Sequence, residues 1–247
     1  MRTSDPEKVG SIDSFKKMQV DILARTGDPD WETFMQRVGQ DQQRIEATAR
    51  ANQRNAIRQE YLPSLDQTIE TYKLRGTQEQ RETQKAALRA IASRIKAWPI
   101  QGRNASLVLY GEDHGAGKTH LSVAYASAIL NQPKLYPVAW YRSDVLIGII
   151  IANRGAEEPL PEKVLKSALV VVDDVDKADM GGYRYEQALS ALYLCVDYLY
   201  QANRPIVLTT NLSRPDFEER FGNAITDRLP AAWWINIKGP SGRGGQT

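Results

Sequence analysis

Gly111-Glu-Asp-His-Gly-Ala-Gly-Lys-Thr119 follows the apolar run Leu107-Val-Leu-Tyr110 and precedes a helix-forming segment that ends near Leu130. A glycine-rich turn between a buried strand and a helix N-terminus is the setting a phosphate-binding loop requires. Gly115 and Gly117, with Ala116 between them, let the backbone approach a phosphate and aim N–H groups at it. The helix N-terminus adds partial positive charge. Lys118 is placed to reach the β- and γ-phosphates of ATP, and the Thr119 hydroxyl to hold Mg2+. The loop departs from the strict spacing: residues 112 to 116 separate Gly111 from Gly117, one more than the pattern allows. Glu112 thus stands where a glycine is expected, and the acidic pair Glu112-Asp113 suits a phosphate site only if it points outward.

Outward from the loop, short apolar runs alternate with helical patterns. Val138-Ala-Trp-Tyr141 reads as a strand, with Ser143 capping the helix after it. Leu169-Val-Val-Val172 is a strand ending in Asp173-Asp174, and Tyr185 to Ala202 is a long helix. A further strand starts at Ile206 and ends in Thr209-Thr210-Asn211. Short apolar strands separated by helices imply a parallel sheet covered on both faces, an α/β fold. A carboxylate at the end of a buried strand suits the Mg2+ shell and its neighbour suits the attacking water. Asp173 is therefore assigned to the metal and Asp174 to the water. Asn211 could orient that water or meet the γ-phosphate. Asp227-Arg228-Leu229 follows a short helix and offers one arginine that could act on the nucleotide of a neighbouring subunit.

Composition bounds the rest. Of the 247 residues 42% are hydrophobic and 25% charged, with a net charge of +2, which permits nucleic-acid binding without arguing for it. The single cysteine, Cys195, lies in an apolar run, which excludes an internal disulfide or a cysteine-built zinc site and fits a buried thiol in a reducing compartment. The polar, charged start gives no secretory signal and no run is long enough to span a membrane, so a cytoplasmic protein is expected.

The first 62 residues read as a helical extension preceding an α/β domain at 63–247. Ile12, Phe15, Met18 and Ile22 fall at helical spacing, and Trp31, Phe34, Met35 and Val38 form a short apolar stripe. From Gln40 to Glu60 the pattern turns polar, with Arg50, Arg54 and Arg58 on one face, either solvated or turned to phosphate or a partner. A helix over about Gln78 to Trp98 returns to apolar spacing. His114 and His120 flank the loop and lack the partners of a metal site.

Taken together, the motifs resemble the AAA+ ATPases of the DnaC/IstB type, helicase loaders and transposition helpers. The resemblance runs from about Leu65 to Arg243. It rests on Thr68-Ile-Glu-Thr-Tyr72, Gly117-Lys-Thr-His-Leu121, Val172-Asp-Asp174, Arg204-Pro-Ile-Val-Leu-Thr-Thr-Asn-Leu212 and Asp227-Arg-Leu229. It implies a three-layer AAA+ P-loop domain that self-associates with nucleotide at each interface. Gly115, Ala116, Gly117, Lys118, Thr119 and His120 would then bind ATP, Asn211 would be the sensor, and Arg228 the finger reaching a neighbour. Gly239-Pro-Ser-Gly-Arg243 looks like the family's closing motif and would make Arg243 a second sensor. Ala224 stands where the family often carries another arginine, and with the long loop this implies slow hydrolysis and ATP as an assembly switch.

The resemblance further implies that Ser143 to Ser167 faces single-stranded DNA through Arg154, Lys163 and Lys166, a solvated helix pair being the other reading. The expected function is delivery of a DnaB-type replicative helicase during DNA replication. The alternative is a transposition helper that selects target DNA and stimulates a transposase. A nucleotide-gated adaptor without useful hydrolysis is a third reading.

Overall fold

The computed structural model describes residues 36, 39–40, 42–48, 52, 62–63, 66–98, 102–134, 136–177 and 185–241. The chain divides into two compact units, Met1–Gln53 and Arg54–Thr247. In the first, residues 42–48 are helical and exposed, as their polar pattern dictates. The readings made for Ile12 to Ile22, for the stripe Trp31 to Val38 and for Arg50, Arg54 and Arg58 lie outside the described residues.

The second unit begins, after the segment around Tyr72, with α1 (Gln78–Lys96) and a 3-10 turn (Gly102–Ala105). There follow β1 (Leu107–Tyr110), α2 (Lys118–Leu130), β2 (Val138–Arg142), α3 (Ser143–Ala152), α4 (Glu162–Lys166) and β3 (Leu169–Asp173). The chain continues through α5 (Tyr185–Gln201), β4 (Ile206–Thr209), α6 (Arg214–Thr226) and β5 (Trp233–Asn236). Two helix starts are fixed by capping. Thr77 and Gln80 form a reciprocal capping box on α1, and the Ser213 hydroxyl accepts from Asp216 N on α6, which carries Pro215 in its first turn.

The five strands form one sheet in the order β2-β3-β4-β1-β5, every pairing parallel. Side chains alternate between its faces. Leu107 and Leu109 join Ile91 of α1 and Leu121, Tyr125 and Ile129 of α2 in one core. Val108 joins Leu146 of α3, Leu192 and Val196 of α5 and Phe217 of α6 in the other. Helices on both faces of a parallel sheet make the three layers that the strand–helix alternation implied. Cys195 is fully buried in the second core, and burial pushes its thiol pKa up to about 12, which leaves it inert.

The topology positions the site. From β1 the chain crosses to the sheet edge at β2, then returns through β3 and β4 to lie beside β1. The C-terminal ends of β1, β3 and β4 therefore sit side by side where the winding reverses, the crevice in which open parallel sheets bind ligands. One local expectation is corrected. Ser143 does not cap α3: Arg142 occupies that position without a side-chain bond, and Ser143 Oγ instead donates to the Asp174 carbonyl at 2.6 Å. The strand end is thereby tied to the next helix. Among the described residues no helix is long and apolar enough to cross a membrane.

Candidate active site

The glycine loop joins β1 to α2. Gly117 precedes the first turn of α2 with φ +100°, and a Cβ there would lie 2.5 Å from the Tyr72 ring. Gly115 has φ +75°, and its Cβ would meet Ser241 Oγ at 2.5 Å. Both positions need glycine for backbone conformation and for close approach. The loop curls around Lys118, whose buried ammonium donates to the carbonyls of Gly111 at 2.7 Å and Asp113 at 3.0 Å. Burial lowers the Lys118 pKa, opposed by the carboxylates of Asp176, Asp174, Asp113 and Asp173.

The extra loop residue is absorbed with the two acids turned to different partners. Glu112 is exposed, and the Asp113 carboxylate accepts from Gly239 N at 2.8 Å while its carbonyl accepts from the ammonium. Glu112 thus faces solvent, while the half-buried Asp113 carboxylate is committed to Gly239 N and its charge still favours the charged form of Lys118.

At the end of β3 the buried Asp173 accepts two hydroxyl hydrogen bonds, from Thr119 at 3.0 Å and Thr209 at 2.6 Å. Burial pushes the Asp173 pKa up to about 6; the Thr209 bond opposes this and the adjacent Asp174 charge adds to it. A threonine hydroxyl hydrogen-bonded to a carboxylate is a hard-oxygen donor pair. It suits Mg2+, which takes one or two protein oxygens and keeps water and phosphate for the rest. Among the described residues no group of three or more His, Cys, Asp or Glu side chains forms a protein-only metal cage.

Asp174 adopts a left-handed backbone conformation, φ +54°. Its N–H donates to Thr209 Oγ1 at 2.8 Å, its carbonyl accepts from Ser143, and its carboxylate is ion-paired with Lys177. Asn211 at the end of β4 faces a residue that sequence reasoning passed over. Its N–H and Nδ2 donate to the two carboxylate oxygens of Asp176 at 2.9 and 3.0 Å. Burial would raise the Asp176 pKa, but these hydrogen bonds outweigh it and hold the group below the usual carboxylate range. The only signal in the sequence was a third acid two residues after Asp174, in Asp-Asp-Val-Asp-Lys.

These elements enclose a cavity of about 390 Å³ lined by Gly115 through His120, Asp174, Lys177 and Asn211, together with Gln67, Tyr72 and Arg75 of the segment before α1. Tyr72 donates its hydroxyl to Ala116 O at 2.8 Å and meets the His120 ring edge-on at 5.3 Å. His120 Nε2 lies 2.8 Å from Thr68 O, so the histidine straps this segment to the loop as well as lining the cavity.

Not every expected residue converges here. Arg228 follows α6 outside the cavity. Its Nε is bonded to Asp197 and its Nη2 to the Tyr193 hydroxyl at 2.5 Å, and the guanidinium lies 4.5 Å over the Tyr193 ring. Arg243 lies outside the described residues. In the 143–167 segment Arg154 is exposed and Lys166 is ion-paired with Glu162.

The family described as IstB-like ATP binding protein matches residues 18–245. Among solved structures, that of the DnaC helicase loader aligns over 70% of this chain and 98% of its own, at 24% identity and TM-score 0.56. Domain III of the Thermotoga maritima replication initiation protein DnaA aligns over 72% of this chain and 69% of its own, at 19% identity and TM-score 0.55. A replication initiator DnaA bound to AMPPCP and single-stranded DNA aligns over 71% of this chain and 50% of its own, at 16% identity and TM-score 0.55. At such identities the likeness is one of fold, the AAA+ arrangement of a parallel five-stranded sheet and flanking helices. No curated protein sequence matches.

Proposed function

This chain belongs to the family of IstB-like ATP binding proteins, and from that premise we propose that it is a cytoplasmic helicase loader, which binds single-stranded DNA and delivers a DnaB-type replicative helicase under the control of ATP. It is an ATPase of the AAA+ P-loop type. The observation that carries the ATP part is the meeting, at one cavity, of a glycine cradle, a buried lysine, a hydroxyl–carboxylate pair and Asp174 with Asn211. The loader part is supported by a fold that spans 98% of the DnaC helicase loader.

In this reading the loop N–H groups and Lys118 bind the β- and γ-phosphates. Thr119 and Asp173 would hold Mg2+, which neutralises developing phosphate charge when bound. Asp174 polarises the attacking water, Asn211 orients it, and Arg228 contributes from a neighbouring subunit. Arg228 stands outside its own cavity, which suits action in trans. Residues 1–62 serve as the partner-binding extension ahead of the ATPase domain at 63–247. Arg154, Lys163 and Lys166 meet the DNA backbone, and Arg243 acts as a second sensor. Turnover is slow, with ATP serving chiefly as an assembly switch.

A second reading, a transposition helper that selects target DNA and stimulates a transposase, fits the same family membership. Affinity capture with the full chain and ATP separates the two. Recovery of a replicative helicase, with single-stranded DNA preferred over duplex, is the expected outcome. Recovery of a transposase without helicase, with duplex preferred, overturns the loader reading. Equal silence of the wild type and Asp174→Asn in a phosphate-release assay would remove hydrolysis and leave ATP binding.

A further inference from the structure

The water-polarising role given to Asp174 meets an obstacle in the geometry. Its backbone is fixed at both ends, by Thr209 on its N–H and Ser143 on its carbonyl, so only the carboxylate can move. That carboxylate is ion-paired with Lys177, and the Lys177 N–H donates to the Asp174 carbonyl at 2.9 Å, closing a tight turn that sets the ammonium over the carboxylate. The pair is about two-thirds shielded, with side-chain exposures of 35% for Lys177 and 27% for Asp174. A carboxylate held this way has its charge compensated and one oxygen occupied, both of which weaken it as a base.

Lys177 and Asp174 line the same cavity as Lys118, Thr119 and Asn211. The loop N–H groups and Lys118 fix the β- and γ-phosphates, and the chain runs directly from the metal-side Asp173 to Asp174, so the terminal phosphate comes to rest at this wall. Three carboxylates gather here, of Asp173, Asp174 and Asp176, and their charges favour the charged form of Lys118. Lys177 also acts on Asp173, favouring its charged form. A γ-phosphate arriving with about two negative charges outcompetes a single carboxylate for a flexible ammonium.

The geometry points to Lys177 as a switch that reads the terminal phosphate: it pairs with Asp174 until a nucleoside triphosphate enters, then turns its ammonium to the γ-phosphate and releases the Asp174 carboxylate to the attacking water. A nucleoside diphosphate offers no terminal phosphate and leaves the pair closed. Lys177 thereby couples recognition of ATP over ADP to activation of the base, with no bond made or broken in the step. This inference rests on the ATP-binding reading and adds a residue to that site.

The test measures binding of Mg2+-AMPPCP and Mg2+-ADP to the full chain by titration calorimetry. Lys177→Ala is expected to weaken AMPPCP about tenfold while ADP changes by less than about twofold. Lys177→Arg, which keeps the charge and reach, restores the ratio. Asp174→Asn frees the ammonium and tightens AMPPCP, and Lys177→Ala then costs more in that background than in the wild type. If Lys177→Ala weakens both ligands equally, or neither, the switch is wrong while ATP binding stands. If the wild type binds neither nucleotide, the ATP reading falls and this inference with it.

Discussion

Asn211 gives both its backbone N–H and its side-chain amide to one carboxylate, that of Asp176, at 2.9 and 3.0 Å. The two residues lie on different elements, one after β3 and the other after β4, and the paired bonds set the rotamer of the amide at the cavity wall. Asp176 is therefore a positioning residue for Asn211. Asp176→Ala removes two charge-assisted bonds and leaves a half-buried N–H without its partner, at a cost of about 2 kcal/mol in stability. Phosphate release is expected to slow about tenfold or more, with ATP affinity within about threefold of the wild type, because no contact to the phosphates is lost. Asp176→Asn, which keeps one acceptor, falls between. A loss of binding equal to the loss of turnover would show that Asp176 supports the whole pocket instead.

Asp173 gives a prediction in pH. Its pKa is about 6 in the folded chain, against 3.8 for an unperturbed aspartate. The folded state therefore holds a proton that the unfolded state has released across this window. Stability from this group is present below about pH 4 and is lost as pH rises through about 6, in all about 3 kcal/mol. Asp173→Asn removes the buried charge; its one acceptor oxygen keeps the Thr209 bond, while its amide nitrogen donates to the Thr119 hydroxyl where Asp173 accepts. Without nucleotide it is expected to melt higher than the wild type near pH 8, the difference closing by about pH 4. The same change abolishes the Mg2+ dependence of ATP binding. In the wild type that dependence fades below about pH 6, where the carboxylate must lose a proton to bind metal. A variant less stable than the wild type at about pH 8 would refute the assignment of burial as the cause.

Gly117 is squeezed between backbone strain and the Tyr72 ring. Gly117→Ala must carry a side chain at φ +100° and push the ring by about an ångström from the 2.5 Å approach. It is expected to lower ATP affinity by about tenfold or more and to cost about 1–2 kcal/mol in stability. Pairing it with Tyr72→Ala restores the space but not the backbone, so recovery of melting temperature should be partial. Full recovery would mean that the ring contact alone demands glycine.

The loop, the Asp173-Asp174 strand end and the β4 strand were legible because each ties a residue type to a local conformation: glycine to positive φ, apolar β-branched runs to buried parallel strands. The placement of Asp113 was not legible, since its acceptor role toward Gly239 N joins residues far apart in the chain. Asp176 and Lys177 escaped notice because their partners, Asn211 and Asp174, are chosen by how the ends of β3 and β4 meet and not by spacing. Ser143 was misread as a cap for the same reason. A serine at a helix start serves a cap by default, and only the neighbouring strand end shows its hydroxyl already committed to Asp174. Arg228 could be given a role through resemblance, but its anchorage to Asp197 and Tyr193 belongs to the packing of α5 against α6.

That anchorage makes the finger testable without a structure of the assembly. Arg228 is held outside its own cavity, so Arg228→Ala leaves the glycine loop intact, and Lys118→Ala leaves the finger intact. Each variant alone should be nearly inactive, the finger being worth about a thousandfold in turnover. In an equal mixture about a quarter of interfaces pair an intact loop from one variant with an intact finger from the other, and activity should return in that proportion. Asp197→Asn weakens the ionic anchor and should lower turnover in the otherwise intact chain while leaving ATP affinity unchanged. Mixtures as inactive as the separate variants would mean that Arg228 does not complete a neighbour's site, and that the Asp197 pair only ties α6 to α5.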